Sequence, residues 1–170
     1  MIVFDTETTG LPLTHSAPIE SQPKIIEIAV IKLDFDMNEI ERFETLVNPE
    51  RPIPKEATAV NNISDEDVKD KKPFAGIYND LCHIFTGETD VYAHNCAFDM
   101  DMLTFELRRL GYEYKFPYPM NQNCTVELSR PLLQGDDAPR SLRQIDLYWH
   151  AFDVEALVEY IKWMRKNYLV

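Results

Sequence analysis

The 170-residue sequence predicts one α/β domain of the α+β kind, a mixed sheet covered by helices. Three observations carry that expectation. Apolar, β-branched runs open the chain, Lys24–Leu33 (KIIEIAVIKL) being the clearest. From Phe74 onward the apolar residues recur at helical spacing. A single strand-like segment, Asp90–His94, interrupts those helices. With 45% hydrophobic residues the chain can bury a core, which excludes disorder as its main state.

Taken in order, Met1–Asp5 reads as a short buried strand running into a polar turn, Thr6–Gly10, and Leu11–Pro23 as a proline-bearing loop. Lys24–Leu33 is a central strand. Phe43–Val47 is a third strand, stopped by Asn48-Pro49, and the link over 34–41 is short enough for an antiparallel hairpin. Ser64 followed by Asp65, Glu66 and Asp67 marks a helix start, because acids in the first turn oppose the helix dipole. Phe74, Ile77, Tyr78, Leu81, Ile84 and Phe85 form the stripe of a helix lying on the sheet. After the brief strand Asp90–His94, the segment Ala97–Leu110 is a helix with Met100, Leu103, Leu107 and Leu110 on one stripe, stopped by Gly111. The segment 112–139 contains prolines and reads as irregular, with one strand or short helix near Cys124–Leu128. Ser141 caps a short helix, and Ala151–Asn167 is the last long one.

Charge narrows the function. Lys and Arg total 17 against 29 Asp and Glu, a formal net charge of −12. A DNA-coating protein draws affinity from counterion release by surplus Lys and Arg, so that class is excluded. Apolar runs such as Ile25–Ile31 are broken by charge and fall short of the roughly 18 residues a membrane span needs. Strand-like residues follow Met1 at once, so no leader peptide is expected. The three cysteines, Cys82, Cys96 and Cys124, lack metal-ligand spacing and suit a reducing, cytoplasmic interior.

Acidic residues at element ends carry the chemistry. Asp5 and Glu7 stand two apart at the end of the first strand, so alternation puts both carboxylates on one face. Acids crowded at a buried strand end ionise together only around a cation. Asp99 and Asp153 fall in the first turns of later helices; each alone also reads as a cap, but with the first pair they suit two hard divalent cations with oxygen ligands.

Phe4-Asp5-Thr6-Glu7-Thr8-Thr9-Gly10 resembles the first motif of the DnaQ-like (DEDD) 3′–5′ exonucleases, the family of the proofreading epsilon subunit of bacterial DNA polymerase III. Ala93-His94-Asn95-Cys96-Ala97-Phe98-Asp99 resembles the second, with its AHNxxFD pattern intact. Ile25–Ala29 is similar to the family's second strand, and Ala57–Ser64 to its AxxVHGIT segment, with Asn61-Asn62 in place of His-Gly. The resemblance implies a ribonuclease H-like fold, with a central mixed five-stranded sheet flanked by helices, over residues 1–170 as a single exonuclease domain. It further implies that Asp5, Glu7, Asp99 and Asp153 hold two divalent cations, Mg²⁺ or Mn²⁺; zinc would want His or Cys partners at other spacings. Thr6, Thr8, Thr9, Gly10 and Leu11, with Ile63 opposite and Phe98 beside Asp99, would receive the terminal nucleotide, although Leu11 and Phe98 also read as core residues. His94 and Asn95 would orient the loop and the acids. Glu27, in an apolar strand, would answer a structural partner.

The third motif departs from the family's pattern of His, four residues, then Asp. One register keeps His150 and makes Glu155 the ligand; the other keeps Asp153 and puts Tyr148 where the His belongs. Periodicity favours Asp153, because Val154, Leu157, Val158 and Ile161 then line the inward stripe while Glu155, Glu159 and Lys162 face water. His150, whose ordinary pKa suits proton abstraction at neutral pH, is the favoured general base, with Tyr148 the alternative.

The activity implied is metal-dependent hydrolysis from the 3′ end of single-stranded nucleic acid, DNA favoured, releasing nucleoside 5′-monophosphates, with a polymerase or replication partner. An RNA-trimming exoribonuclease or oligoribonuclease is one alternative, and a binding module of the same fold that has lost catalysis is the other. Residues 138–170 carry five basic residues against four acids, so a strand would approach from that side.

Overall fold

The computed structural model describes residues 1–14, 16–112, 115–129 and 154–167. Among them, five strands form one mixed sheet in the order β3-β2-β1-β4-β5. The strands are β1 (Ile2–Thr8), β2 (Ile25–Leu33), β3 (Glu39–Leu46), β4 (Asp90–Ala93) and β5 (Asn121–Cys124). β1, β2 and β3 are antiparallel neighbours, as the short link over 34–41 requires, while β4 lies parallel to β1 and β5 parallel to β4. The helices are α1 (Lys55–Asn61), α2 (Asp65–Val68), α3 (Phe74–Phe85), α4 (Cys96–Arg109), α5 (Thr125–Ser129) and α6 (Val154–Asn167). No helix among the described residues is long and apolar enough to cross a membrane, and the three cysteines are free thiols.

Strand alternation divides the core into two layers. Ile2, Phe4, Ile28 and Val30 point to one face and pack with Ile77, Leu81, Ile84 and Phe85 of α3 and Leu103 and Leu107 of α4. Val3, Ile31 and Leu33 point to the other and pack with Val154, Leu157, Val158 and Ile161 of α6. Each such side chain, fully buried, contributes about 1.5–3 kcal/mol of transfer free energy. A third cluster, Ile26, Ile53, Ile63 and Val68, braces the turn between α1 and α2.

Three expectations change. β1 runs on through Thr8 rather than turning after Asp5, because Thr6 and Thr8 stay paired with Ile28 and Ile25 of β2. β3 begins at Glu39, four residues before the expected Phe43, its polar first half forming the sheet edge. Near Cys124 there is both a strand and a helix, β5 and then α5. The helix expected after Ser141 lies outside the described residues.

Candidate active site

β1 pairs with β4 only at Ile2–Val91 and Val3–Tyr92, so a crevice opens beside Asp5–Thr8, beyond the carboxyl ends of the two parallel strands. Open α/β sheets place ligands there. From the end of β4 the chain turns through Asn95, whose left-handed backbone (φ 66°, ψ 51°) suits asparagine better than most side chains. That turn starts α4 and carries Asp99, in its first turn, back against β1.

Asp99 is almost wholly buried (1% exposed) and is held by one residue. The Thr6 hydroxyl donates to its Oδ1 at 2.7 Å and the Thr6 backbone N–H at 3.0 Å. Burial, and then the charge of Asp5, push the Asp99 carboxyl well above the usual carboxylate range, against the pull of the Thr6 hydrogen bonds. Burial likewise raises Asp5, to about 6, partly opposed by a backbone hydrogen bond from Thr6. Among the described residues no Lys, Arg or His forms an ion pair with either carboxylate. Two buried acids that resist ionising, offering only oxygens, fit a hard divalent cation better than any group the protein supplies. The described residues alone bring no three His, Cys, Asp or Glu side chains into a metal-binding group.

A cavity of about 560 Å³ is lined by Asp5, Glu7 and Asp99 together with Thr6, Thr8, Thr9, Gly10 and Leu11. His94 and Phe98 line it as well. The His94 Nδ1 lies 3.0 Å from the Thr125 hydroxyl, which itself donates to the Ala93 carbonyl at 3.4 Å. With the Thr125 proton on the Ala93 carbonyl, the ring proton sits on Nδ1; Nε2 is buried without a hydrogen-bond partner among the described residues. Burial lowers His94 to about 4, so the ring is neutral at physiological pH.

The opposite wall is α1, through Pro54, Glu56, Ala57, Val60 and Asn61, none of which the sequence reading assigned to the site. No residue of α1 is buried, so it has no apolar stripe to betray it. Its signal was the Ala57–Ser64 resemblance, from which Ile63 was expected to meet substrate. Ile63 is instead 7% exposed within the third core cluster, where it supports the wall from behind. Asn61 takes the lining position: its Nδ2 donates to the Thr8 carbonyl at 3.3 Å, and its Oδ1 accepts from the Ile63 N–H at 3.0 Å. Asn95 does not line the cavity; its contribution is the turn.

On the α6 side, a smaller cavity of about 150 Å³ is lined by Asp5 and Glu7 with Glu27, Glu44, Val154 and Glu155. Glu27, expected to answer a structural partner, sits among acids; burial, then Glu44 and Asp5, raise its pKa. Glu155 is ion-paired with Arg42 of β3, whose guanidinium also bonds Glu39. Val154, Leu157, Val158 and Ile161 are buried and Glu159 is exposed, bonded by Lys162 at 2.8 Å. The buried stripe is the one expected with the Asp153 register, while Glu155, the ligand of the other register, lines the smaller cavity with Asp5 and Glu7. Tyr148, His150 and Asp153 lie outside the described residues.

The RNase T exonuclease family model matches residues 2–157. The epsilon subunit of DNA polymerase III from Rickettsia typhi is 36% identical over 135 residues, which is 79% of this chain and 56% of that protein, so the chain spans little more than half of this relative's length. Exonuclease X, solved in complex with 5′-overhanging duplex DNA, superposes with a TM-score of 0.65 at 22% identity, covering 98% of this chain and 92% of that one. E. coli exonuclease I, solved zinc-bound in its complex with single-stranded DNA, superposes with a TM-score of 0.76 at 17% identity, covering 98% of this chain and 40% of that one. At such identities these structures speak for the fold, a ribonuclease H-like mixed sheet with flanking helices. The family is carried by the match along most of the sequence: the chain belongs to the RNase T/DnaQ-like family of 3′–5′ exonucleases.

Proposed function

We propose that this cavity hydrolyses the last phosphodiester of a single-stranded nucleic acid from its 3′ end, DNA favoured, and releases nucleoside 5′-monophosphates. The observation that carries the reading is that Asp5, Glu7 and Asp99 line one cavity, with Asp5 and Asp99 both resisting ionisation. Bound there, two divalent cations, Mg²⁺ or Mn²⁺, would supply Lewis-acid chemistry for the attacking water and for the departing 3′ oxygen. Asp5, Asp99 and Asp153 would hold one of them, and Asp5 with the scissile phosphate the other. Glu7 would bind the first or orient the terminal 3′ hydroxyl.

The remaining groups of the chain position and exclude. Thr6 fixes the Asp99 carboxylate through two hydrogen bonds. Leu11, Val60 and Phe98 give the cavity an apolar side against which a terminal base packs, with Thr8, Thr9 and Gly10 on the same rim. His94, neutral, presents Nε2 as an acceptor for a hydroxyl or water. His150 takes the proton from the attacking water, and Asp153, in the register that the α6 stripe supports, completes the acids. The domain would act over residues 1–170 in a reducing cytoplasm, with single-stranded 3′ ends as substrate. A relative named as a polymerase III subunit suggests a replicative polymerase as partner.

The test is release of mononucleotides from a 3′-labelled single strand with Mn²⁺, beside Asp5→Ala. Release by the parent alone is expected; equal release by both proteins sinks the reading, and release by neither makes the domain a binding module. Matched DNA and RNA 5-mers then decide the sugar.

A further inference from the structure

The rim of the cavity continues into the loop from Thr9 to Pro23, which includes a 3₁₀ turn at Ile19–Ser21 and leaves Leu11 79% exposed. Ile19 packs on the first core cluster and Pro23 is buried, but the rim half of the loop leaves Leu11 and Leu13 exposed, with little apolar packing to fix its shape. Its carbonyls are gripped from outside by two guanidiniums. Arg51, between β3 and α1, donates from Nη1 to the Glu20 carbonyl at 3.0 Å and from Nη2 to the Gln22 carbonyl, with Nη2 also 3.5 Å from the Thr9 hydroxyl. Arg109, the last residue of α4, donates from Nη2 to the carbonyls of Ile19, Gln22 and Pro23 at 3.0, 2.8 and 3.0 Å. Both arginines therefore converge on the Gln22 carbonyl.

Inside the loop, the buried Gln22 side chain accepts from the Leu13 N–H at 2.9 Å and donates to the Thr14 carbonyl at 3.0 Å. The Thr9 hydroxyl accepts from the Lys24 N–H at 2.9 Å and so ties the two ends of the loop together. Crowding two guanidiniums is unfavourable: burial and the Arg109 charge lower the Arg51 pKa, while Glu106 and Glu20 oppose them. Glu106, 3.1 Å from Arg109 Nη1, also accepts from the Ile25 N–H at 3.0 Å, so Arg109 belongs to the junction of α4 with β2. Arg51 is half-buried and touches the loop without entering the core, its donors going to Thr9, Glu20 and Gln22 of that loop.

We propose that Arg51 is a positioning residue: through Thr9 and the carbonyls of Glu20 and Gln22 it holds the loop so that Leu11 stays on the cavity rim, and it thereby sets affinity for the terminal nucleotide rather than the rate of hydrolysis. The proposal rests on the cavity being the hydrolytic site. A guanidinium spans two carbonyls and a hydroxyl from one planar fork, which an ammonium cannot do.

Arg51→Met keeps the aliphatic stem and removes every donor. With the full chain, Mn²⁺ and a single-stranded oligonucleotide, it should raise KM about tenfold and leave kcat within about twofold, the pattern of lost ground-state binding. Arg51→Lys should fall between the parent and Arg51→Met. In a Leu11→Ala background the same change should add less than about a further twofold in KM, because the group being positioned is already gone. Thermal melting of each variant checks that it is folded. A folded Arg51→Met protein with the parental KM, a fall in kcat instead, or penalties that multiply in the double variant would overturn the assignment. Should Asp5→Ala remain as active as the parent, the failure lies with the hydrolytic site and not with the loop.

Discussion

Thr6→Val isolates what Asp99 needs. Valine keeps the β-branched shape and the strand preference of threonine, so the pairing of β1 with β2 stays intact. It removes one atom's worth of chemistry, the hydroxyl that donates to Asp99 Oδ1 at 2.7 Å in a buried setting, and leaves the backbone N–H donor at 3.0 Å in place. A net hydrogen bond to a charged group is worth about 1.5–3 kcal/mol, and a neutral one about 1. Because the Asp99 carboxyl is already pushed towards its neutral form, the metal-free protein should lose only about 1 kcal/mol of stability in urea. The larger effect falls on cation holding: loss of a residue that orients a ligand typically lowers metal affinity or activity about 10–100-fold. The assay pairs mononucleotide release with a Mn²⁺ titration of the thermal midpoint, and Thr6→Ser, which restores the hydroxyl, should recover most of both. A folded Thr6→Val protein with the parent's rate and the parent's Mn²⁺ midpoint would show that the Asp99 carboxylate is not held for a cation.

Asp5→Asn should stabilise the metal-free protein at pH 7.5 while abolishing any rise in Tm on adding Mn²⁺. With Asp5 raised to about 6, its ionisation opposes folding by about 3 kcal/mol, so the melting temperature should climb several degrees. His94 is lowered to about 4, so the unfolded chain binds its proton at higher pH than the folded one. Its contribution is present above about pH 6.5 and is lost as the pH falls through 4. His94→Asn should remove about 1–2 kcal/mol of that acid sensitivity, allowing for the partial exposure of the ring, and urea titrations at pH 7.5 and 5 measure it. Asp153→Ala should reduce hydrolysis to background and Glu155→Ala leave most of it; the reverse pair of rates would move the register to Glu155. His150→Ala should slow the reaction roughly 10²–10⁴-fold if that imidazole is the base, as a single-turnover rate will tell.

What could be read from the sequence follows what burial writes into it. The run KIIEIAVIKL holds an interior strand of the sheet with side chains buried on both faces, and such strands are largely apolar. The stripe of α3 and that of α6 are legible for the same reason: Phe74, Ile77, Leu81 and Ile84, and Val154, Leu157 and Ile161, must meet the sheet. Elements that bury little carry no such signal. β5, Asn121–Cys124, is a polar edge strand that exists because β4 offers it an unpaired side, and α1 is a surface helix with nothing buried. The site divides along the same line. Asp5, Glu7 and Asp99 stand out as acids at the ends of apolar elements, whereas the far wall is built from ordinary surface residues such as Glu56, Val60 and Asn61. Ile63 was expected on that wall from the family resemblance, but its hydrophobicity draws it into the core beside Ile26 and Ile53.

The charge of this chain gains a structural meaning from where its arginines go. Arg51 and Arg109 spend their donors on loop carbonyls, and Arg42 is shared by Glu39, Glu44 and Glu155. None of these guanidiniums is left turned outward as a phosphate clamp. Meanwhile Asp5 stands between two acid-lined cavities, the larger shared with Asp99 and the smaller with Glu27, Glu44 and Glu155. A phosphodiester brought to these acids meets repulsion wherever they ionise, and no described guanidinium of that set offsets it. On the proposed reading the same cations that activate water therefore also make binding possible, so that affinity and catalysis are switched on together. Among the described residues, what would then be added to binding is apolar and local: the rim of Leu11, Val60 and Phe98, against which an unpaired end would pack.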